Sequence, residues 1–506
     1  MTDVRTPAPV QEAQLGTRRL GVPALVFMII AASAPLTVVA GGVTSNFAVT
    51  SVLGVPLSFL VLGAVLIVFS VGYSAMSQHI HNAGAFYAYV ARGLGKPAGV
   101  GSAWVALVSY NTMQIGIYGL FGYALASLLQ SLTGADLPWW GCALAGWVVV
   151  GLLGITKVDL SAKVLGTLVA LEFVVVTVYD LIAVGAAPEG VSLQSFEPSS
   201  LFTTGVGAVL SFSIAAFMGF ESGAIYNEEV KDPRHTARRA TTIAIVVIAL
   251  FYAVSAWAMT VGEGPSNVVA QSAEQGPGLV FVFLGQYLPV WAVDIANVLF
   301  VTSLFAALVA FHNVVARYFF SMAREGVLPR ALSRTNPRTQ APVAGSVAQS
   351  VLALVVLIVF AVAGAGSELG PLYPVLTLFT WLTNMGAFGL VLLMAVTSIA
   401  VVGYFRRHPT WYGLWTRSVA PIIGAVCLTI VFALIVANFT VLIGAQGDAV
   451  LGWLLPALVI VPGIVGVAWA WRLRTTRPSV YAGIGRGGTL DDDTSVSPVV
   501  PAPDRV

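Results

Sequence analysis

The sequence predicts an all-α polytopic membrane protein with twelve transmembrane helices. Ten of them form an inverted five-helix repeat core (helices 1–5 and 6–10), and two more follow on the C-terminal side. Three observations predict this. Of the 506 residues, 58% are hydrophobic and only 9% are charged, against roughly a quarter charged in a soluble domain. Apolar runs recur from Gly21 to Trp471 at lengths that cross a hydrocarbon core of about 30 Å, and mean hydropathy is +0.89. The cations are also segregated. Lys and Arg cluster in the two tails and at the even-numbered gaps between runs, whereas odd-numbered gaps such as 185–201 and 262–289 carry Glu189, Glu197, Glu263 and Glu274 and no cation. The positive-inside rule then puts both termini and the basic loops in the cytoplasm, on the inner side of the plasma (inner) membrane. This composition excludes a soluble enzyme, a secreted disulfide scaffold and a nucleic-acid-binding domain; the lipid bilayer is the expected surrounding.

Residues 1–20 are polar and read as a cytoplasmic tail, followed by a run too long for a cleaved signal peptide. The twelve spans are expected near 21–46, 52–78, 98–130, 138–155, 163–184, 202–226, 240–261, 290–322, 343–363, 372–404, 420–441 and 451–471. Residues 21–410 make the ten-helix transport core and 411–473 hold helices 11 and 12. Span 1 contains Pro35, which removes a backbone donor and clashes with the preceding turn, with Gly41 and Gly42 beyond it. Span 3 carries the polar stretch Tyr110, Asn111, Gln114 and Tyr118; span 4 carries Cys142, an apolar filler like Cys427 in span 11. In span 5, Glu172 lies nine residues past Lys163, about 13.5 Å at helical rise and so near mid-membrane, while Asp180 falls close to the outer interface. Span 6 reads FSIAAFMGFESG, with Gly219 and Gly223 around the carboxylate of Glu221. His312 in span 8 reads as structural. Beyond Arg477 the chain turns to Gly, Ser, Pro and Asp, so residues 474–506 are expected to form a disordered cytoplasmic tail.

Spans 1 and 6 are the first members of two groups of five, so paired interruptions there are what an inverted repeat produces. A broken helix turns two half-helix ends toward one cavity. The N-terminal end offers free N–H groups and partial positive charge; the C-terminal end offers carbonyls. A zwitterionic amino-acid backbone matches both. Packing alone also explains Pro and Gly in membrane helices, but the coincidence of two such breaks weighs toward a site.

Three strings add to this: NAGAFYAYVARGLG from Asn82 to Gly95, GFESGAIYNEEVKDPRHTARRA from Gly219 to Ala240, and NVVARYFFSMAREGVLPRAL from Asn313 to Leu332. In order and spacing they resemble the loop after helix 2, helix 6 with its following loop, and the end of helix 8 in the amino acid/polyamine/organocation permeases. The resemblance runs over most of 21–471. The sequence departs from that pattern at His81, Ala85 and Arg238, and at Ser33-Ala34-Pro35, where many members have a Gly-Ser/Thr-Gly break. Membership implies a secondary-active importer of an amino acid that works by alternating access, is no enzyme and needs no cofactor or metal. A polyamine or organic-amine transporter of the same fold, a non-transporting nutrient sensor and a membrane-embedded enzyme are the alternatives.

The expected substrate site is Ser33, Ala34, Pro35, Leu36 and Thr37 with Ala215, Phe217, Met218 and Gly219. The resemblance adds Gln114, at a position that faces substrate in some members, and an acidic residue at Glu221 as a gate beside Phe311. It also places Glu172 near where proton-coupled members carry a Lys in a would-be sodium site. Burial in low dielectric disfavours the charged form of a carboxylate, so a proton is the expected coupling ion with Glu172 as its carrier. The deep ionisable residues are carboxylates without a Lys or Arg, which predicts a neutral or cationic substrate. The charges Glu228, Glu229, Lys231, Asp232, Arg234, Arg238 and Arg239 read as a solvated, topology-setting loop.

Overall fold

The computed structural model describes residues 21–80, 86–156, 162–221, 236–337, 339, 341–408, 410–444 and 449–485, and among them every regular element is helical. The first apolar run is divided into α1 (Val22–Ser33), a π-helical stretch Thr37–Val43 and α2 (Thr44–Thr50). It is followed by α3 (Val55–Ser77), the short α4 (Phe86–Gly93), α5 (Lys96–Thr133), α6 (Trp139–Thr156) and α7 (Ala162–Ala186). The next run keeps only α8 (Val206–Ala215) before turns take over. Then come α9 (Thr236–Glu263), α10 (Val290–Arg324), α11 (Val343–Ala363), α12 (Thr380–Arg407), α13 (Ala420–Ala437), α14 (Ala449–Thr476) and α15 (Pro478–Gly483). Among the described residues, ten helices are long and apolar enough to cross a membrane: α3, α5 to α7 and α9 to α14.

Local chemistry sets the ends. Helix α5 begins after Gly95 (φ +110°) with Pro97 in its first turn, where a missing N–H is harmless. It stops at Gly134, whose left-handed φ of +73° lets its N–H return to the Gln130 carbonyl. Small residues then set how closely helices approach, as membrane packing favours. A Cβ on Gly101 would lie 2.9 Å from the Gly463 carbonyl oxygen, so α5 and α14 touch backbone to backbone. Gly93 and Gly403 do the same where α4 crosses α12.

By contacts the chain forms two units. One runs up to His81 and adds Leu160–Ala307 and Tyr412–Cys427, so it holds α1–α3, α7–α9 and the first part of α10. Its core is α3 on α9, α9 on α7, and α1 on α9. The other takes Asn82–Asp159, Leu308–Trp411 and residues from Leu428 onward, built on α5 against α12, α14, α6 and α4.

One boundary differs from the composition-based expectation. Residues 478–485, assigned there to a disordered tail, are a folded strap inside the second unit. Pro478 starts α15, the Lys96 ammonium donates to the Ala482 carbonyl at 2.8 Å and lies 5.1 Å over the Tyr481 ring, and Ile484 is buried. The Gly485 N–H reaches both the Tyr87 hydroxyl (3.2 Å) and the Glu325 carboxylate (2.9 Å), which also accepts from Tyr87. Burial, and after it the Glu325 charge, pushes the Tyr87 phenol above its ordinary range. Residues 1–20, 486–506, the loop charges Glu228 to Arg234, and His81 and Ala85 lie outside the described residues.

Candidate functional site

At the first break Ala34 takes a left-handed φ of +47° and Pro35 offers no N–H, so α1 cannot run on. The freed groups find partners on neighbouring helices. The Ser33 hydroxyl bonds the Ile30 carbonyl at 2.9 Å and the Tyr252 hydroxyl at 2.8 Å, and the Tyr252 hydroxyl also lies 3.2 Å from the Ser33 carbonyl. Two residues past the break, the Leu36 N–H donates to Glu172 Oε2 at 3.1 Å. The Ser303 hydroxyl of α10 donates to the same oxygen at 2.8 Å. Because Ser303 has only one proton, its 3.0 Å contact with Thr37 is a bond donated by the Thr37 hydroxyl. Glu172, 3% exposed, is therefore the point where broken α1, α7 and α10 meet.

The second break follows Ala215. Successive tight turns join Phe217 to Ile214, Met218 to Ala215 and Phe220 to Phe217. Gly219 sits at φ +105°, a conformation L side chains rarely adopt, and its N–H donates to Glu221 Oε2 at 2.9 Å. The Tyr73 hydroxyl of α3 donates to the Glu221 carbonyl at 3.3 Å. Phe217 and Phe220 turn toward α3, ring to ring with Phe59 (6.3 Å) and Phe69 (6.0 Å). A polar seam ties α2, α3 and α8: Asn46 reaches Val209 and Ser213, and Ser58 meets Ser213 at 2.6 Å. The π-helical stretch Thr37–Val43 lies against α8, so both breaks belong to one unit.

Ser33, Thr37 and Glu172 are thus brought together, and Phe217, Met218, Gly219 and Glu221 are buried at the second break. Gln114 and Phe311 belong to the other unit. There the Gln114 amide is fully buried in a network with the Tyr118 hydroxyl (3.3 Å), His312 Nδ1 (3.4 Å) and the Gln349 amide. His312 Nε2 meets the Ser346 hydroxyl at 2.7 Å. The Phe311 ring lies 6.4 Å from Tyr110. Asp180 is buried, 9% exposed, and accepts from the Ser255 hydroxyl at 2.8 Å. Nearby α7 and α9 cross closely, where a Cβ on Gly262 would stand 2.7 Å from that of Ala183. Sequence reasoning had also passed over Ser303 and Tyr252. Their only signal was a hydroxyl within an apolar run. Among the described residues no group of three or more His, Cys, Asp or Glu could hold a metal ion.

Chemically, the Glu172 carboxylate gives the Leu36 N–H freed by the first break, and the Ser303 hydroxyl, a buried acceptor, and the Glu221 carboxylate does the same for the Gly219 N–H at the second. Comparison with known proteins gives this a context. A family model described as amino acid permease matches residues 20–465. The aromatic amino acid transport protein AroP of Salmonella typhimurium (strain SL1344) is 23% identical over 443 residues, covering 81% of this chain and 87% of that protein. The branched-chain amino acid permease BcaP of Bacillus subtilis (strain 168) is 24% identical over 319 residues, 59% of this chain and 66% of its own. A vacuolar cationic amino acid transporter 4 of Arabidopsis thaliana is 30% identical over 164 residues, 31% of this chain and 26% of its own.

Proposed function

The chain belongs to the amino acid permease family, and from that premise we propose that it imports an amino acid across the plasma membrane by proton-coupled, secondary-active alternating access, with both termini cytoplasmic. The family and the relatives above are permeases and transporters, not enzymes. The observation that carries the reading is the Glu172 carboxylate on the Leu36 N–H. In this reading the first break presents a helix N-terminus, the natural seat for a substrate carboxylate, and Glu172 imitates that carboxylate when the site is empty. A proton arriving on Oε2 turns it from acceptor to donor. The Leu36 N–H is then released to the carboxylate of an amino acid, so proton and substrate enter together. Ser33, Ala34, Pro35, Leu36 and Thr37 line one side of the cavity and Ala215, Phe217, Met218 and Gly219 the other, and Glu221 gates it.

The twelve-span architecture is part of the same proposal. The ten long helices among the described residues, with the two interrupted apolar runs, support a reading of twelve crossings. Each unit also draws equivalent members from both halves of the repeat: the first and second spans share a unit with the sixth and seventh, and the fourth with the ninth. That pairing supports an inverted repeat over 21–410, followed by helices 11 and 12 over 411–473.

One observation favours a second reading, an amine or polyamine transporter. The N–H groups at both breaks already have protein carboxylates as acceptors, so an ammonium group alone would complete the site.

Uptake of a radiolabelled mixture of the standard amino acids into proteoliposomes, under imposed proton or sodium gradients, tests the main reading. Wild type should accumulate label with a proton gradient, and Glu172→Gln should not. Sodium-dependent uptake indifferent to the proton gradient, or unchanged accumulation by Glu172→Gln, would overturn it. Competition by labelled putrescine but by no amino acid would establish the second reading.

A further inference from the structure

We propose that Asp180 is a second proton-carrying residue of this transporter, passing protons from the C-terminal end of α7 toward Glu172 through the hydroxyls of Ser255, Tyr252 and Ser33. The inference rests on the proton-coupled reading above.

Asp180 lies eight residues beyond Glu172 on α7, ~12 Å further along the helix. Its carboxyl group receives one bond, from Ser255 to Oδ2 at 2.8 Å, while Oδ1 is buried without a hydrogen-bond partner. A buried acceptor left unpaired is costly, and a carboxylate inside a spanning helix more so. Among the described residues no cation bonds it. On its own helix the adjacent titratable group is Tyr179, whose buried hydroxyl also has no partner. Helix α9 contributes Ser255, Tyr252 and Glu263, and its Arg238 and Arg239 stand at the opposite end. Neither α1 nor the short helix Leu279–Gly285 carries any titratable residue. An oxygen with a vacant lone pair, beside a hydroxyl and away from any cation, is suited to take up a proton and give it up again.

The route onward is stepped. Ser255 and Tyr252 are three residues apart and so share one face of α9. The Tyr252 hydroxyl bonds both the hydroxyl and the carbonyl of Ser33. Three residues after Ser33, the Leu36 N–H holds Glu172. Hydroxyls both donate and accept. A proton delivered to the Ser255 oxygen by Asp180 is therefore matched by release of the Ser255 proton toward Tyr252. The same exchange at Tyr252 and Ser33, with water filling the one-turn gaps, moves one proton to Glu172. Each hydroxyl is left with its own complement, and nothing is oxidised or reduced.

The test compares counterflow of the labelled amino-acid mixture, which needs no net proton movement, with accumulation driven by an imposed proton gradient. Asp180→Asn keeps an acceptor for Ser255 and the side-chain shape. It is expected to retain counterflow and lose proton-driven accumulation, which Asp180→Glu restores. Tyr252→Phe keeps the ring and removes the relay hydroxyl, so accumulation should slow; it remains informative if Asp180→Asn does not fold. Accumulation at the wild-type rate in Asp180→Asn or in Tyr252→Phe overturns the proposal, as does an equal loss of counterflow and accumulation in Asp180→Asn. Glu172→Gln run in parallel separates the two levels. If it accumulates normally, proton coupling through Glu172 itself fails; if it does not and Asp180→Asn does, only the relay fails.

Discussion

Replacing Gly219 by Ala isolates what the second break demands of the backbone. Gly219 holds φ +105°, where a Cβ costs at least the ~1–2 kcal/mol of a left-handed L-residue and up to about 3 kcal/mol for a strained site. Alanine also narrows the unfolded ensemble, which returns roughly 0.4–1 kcal/mol. The net expectation is a loss of about 1–2 kcal/mol, equivalent to a factor of roughly ten in the folding equilibrium. The same exchange at Gly166 or Gly185 of α7, where a Cβ would meet nothing within 4 Å, should leave stability unchanged or raise it by up to ~1 kcal/mol, since alanine is the better helix former. Thermal denaturation of the detergent-purified protein, followed by tryptophan fluorescence, measures all three. Gly219→Ala as stable as wild type would refute the reasoning, because it would mean that the break tolerates an ordinary φ. An equal loss at Gly166 would refute it too, because the cost would then not be conformational.

Two further substitutions test the packing around the site and the strap. Ser303→Ala removes one donor from Glu172 and one acceptor from Thr37; a bond to a charged group is worth about 1.5–3 kcal/mol, and a double-mutant cycle with Glu172→Gln should recover a coupling of that order in thermal stability. Ending the chain after Thr476 strips the Gly485 N–H from Tyr87 and Glu325. Because the folded-state phenol of Tyr87 is raised, the stability it contributes is present below about pH 10, the ordinary tyrosine value, and is lost as pH rises beyond it. The full chain should melt higher than the shortened one at neutral pH, and should itself lose stability as the pH rises past that value.

The features legible in the sequence were those written in residue type. Pro35 and Gly219 can be read as breaks because one lacks a donor and the other lacks a Cβ, and Glu172 can be placed at depth by counting from Lys163. Their partners were not legible. Ser303 and Tyr252 reach the first break across 266 and 219 residues of chain, and a hydroxyl in an apolar run has no periodicity that says which helix it will face. Gln114 shows the same limit: its polarity was plain, but only the three-dimensional register of α5, α10 and α11 joins it to His312 and Gln349. The partner of Asp180 was equally hidden, because counting along α7 gives its height but not that Ser255 of α9 faces it. The strap was missed because composition averages over a window, and eight ordered residues beside a polar stretch vanish in the average.

The strap also bears on how the protein is made. Domains generally fold as the chain is synthesised, N-terminal parts first. The second unit cannot follow that order, because α5 is seated directly on α14 through Gly101 and Gly463, and Tyr87 waits for Gly485, 398 residues later. Until the last spans have been inserted, the small-residue face of α5 and the Tyr87–Glu325 pair have no cover. A ribosome stalled after Cys427 but before residue 449 would leave in the membrane a chain whose first unit is complete and whose second lacks the partner of α5. The final forty or so residues of the fold thus act as a completion mark.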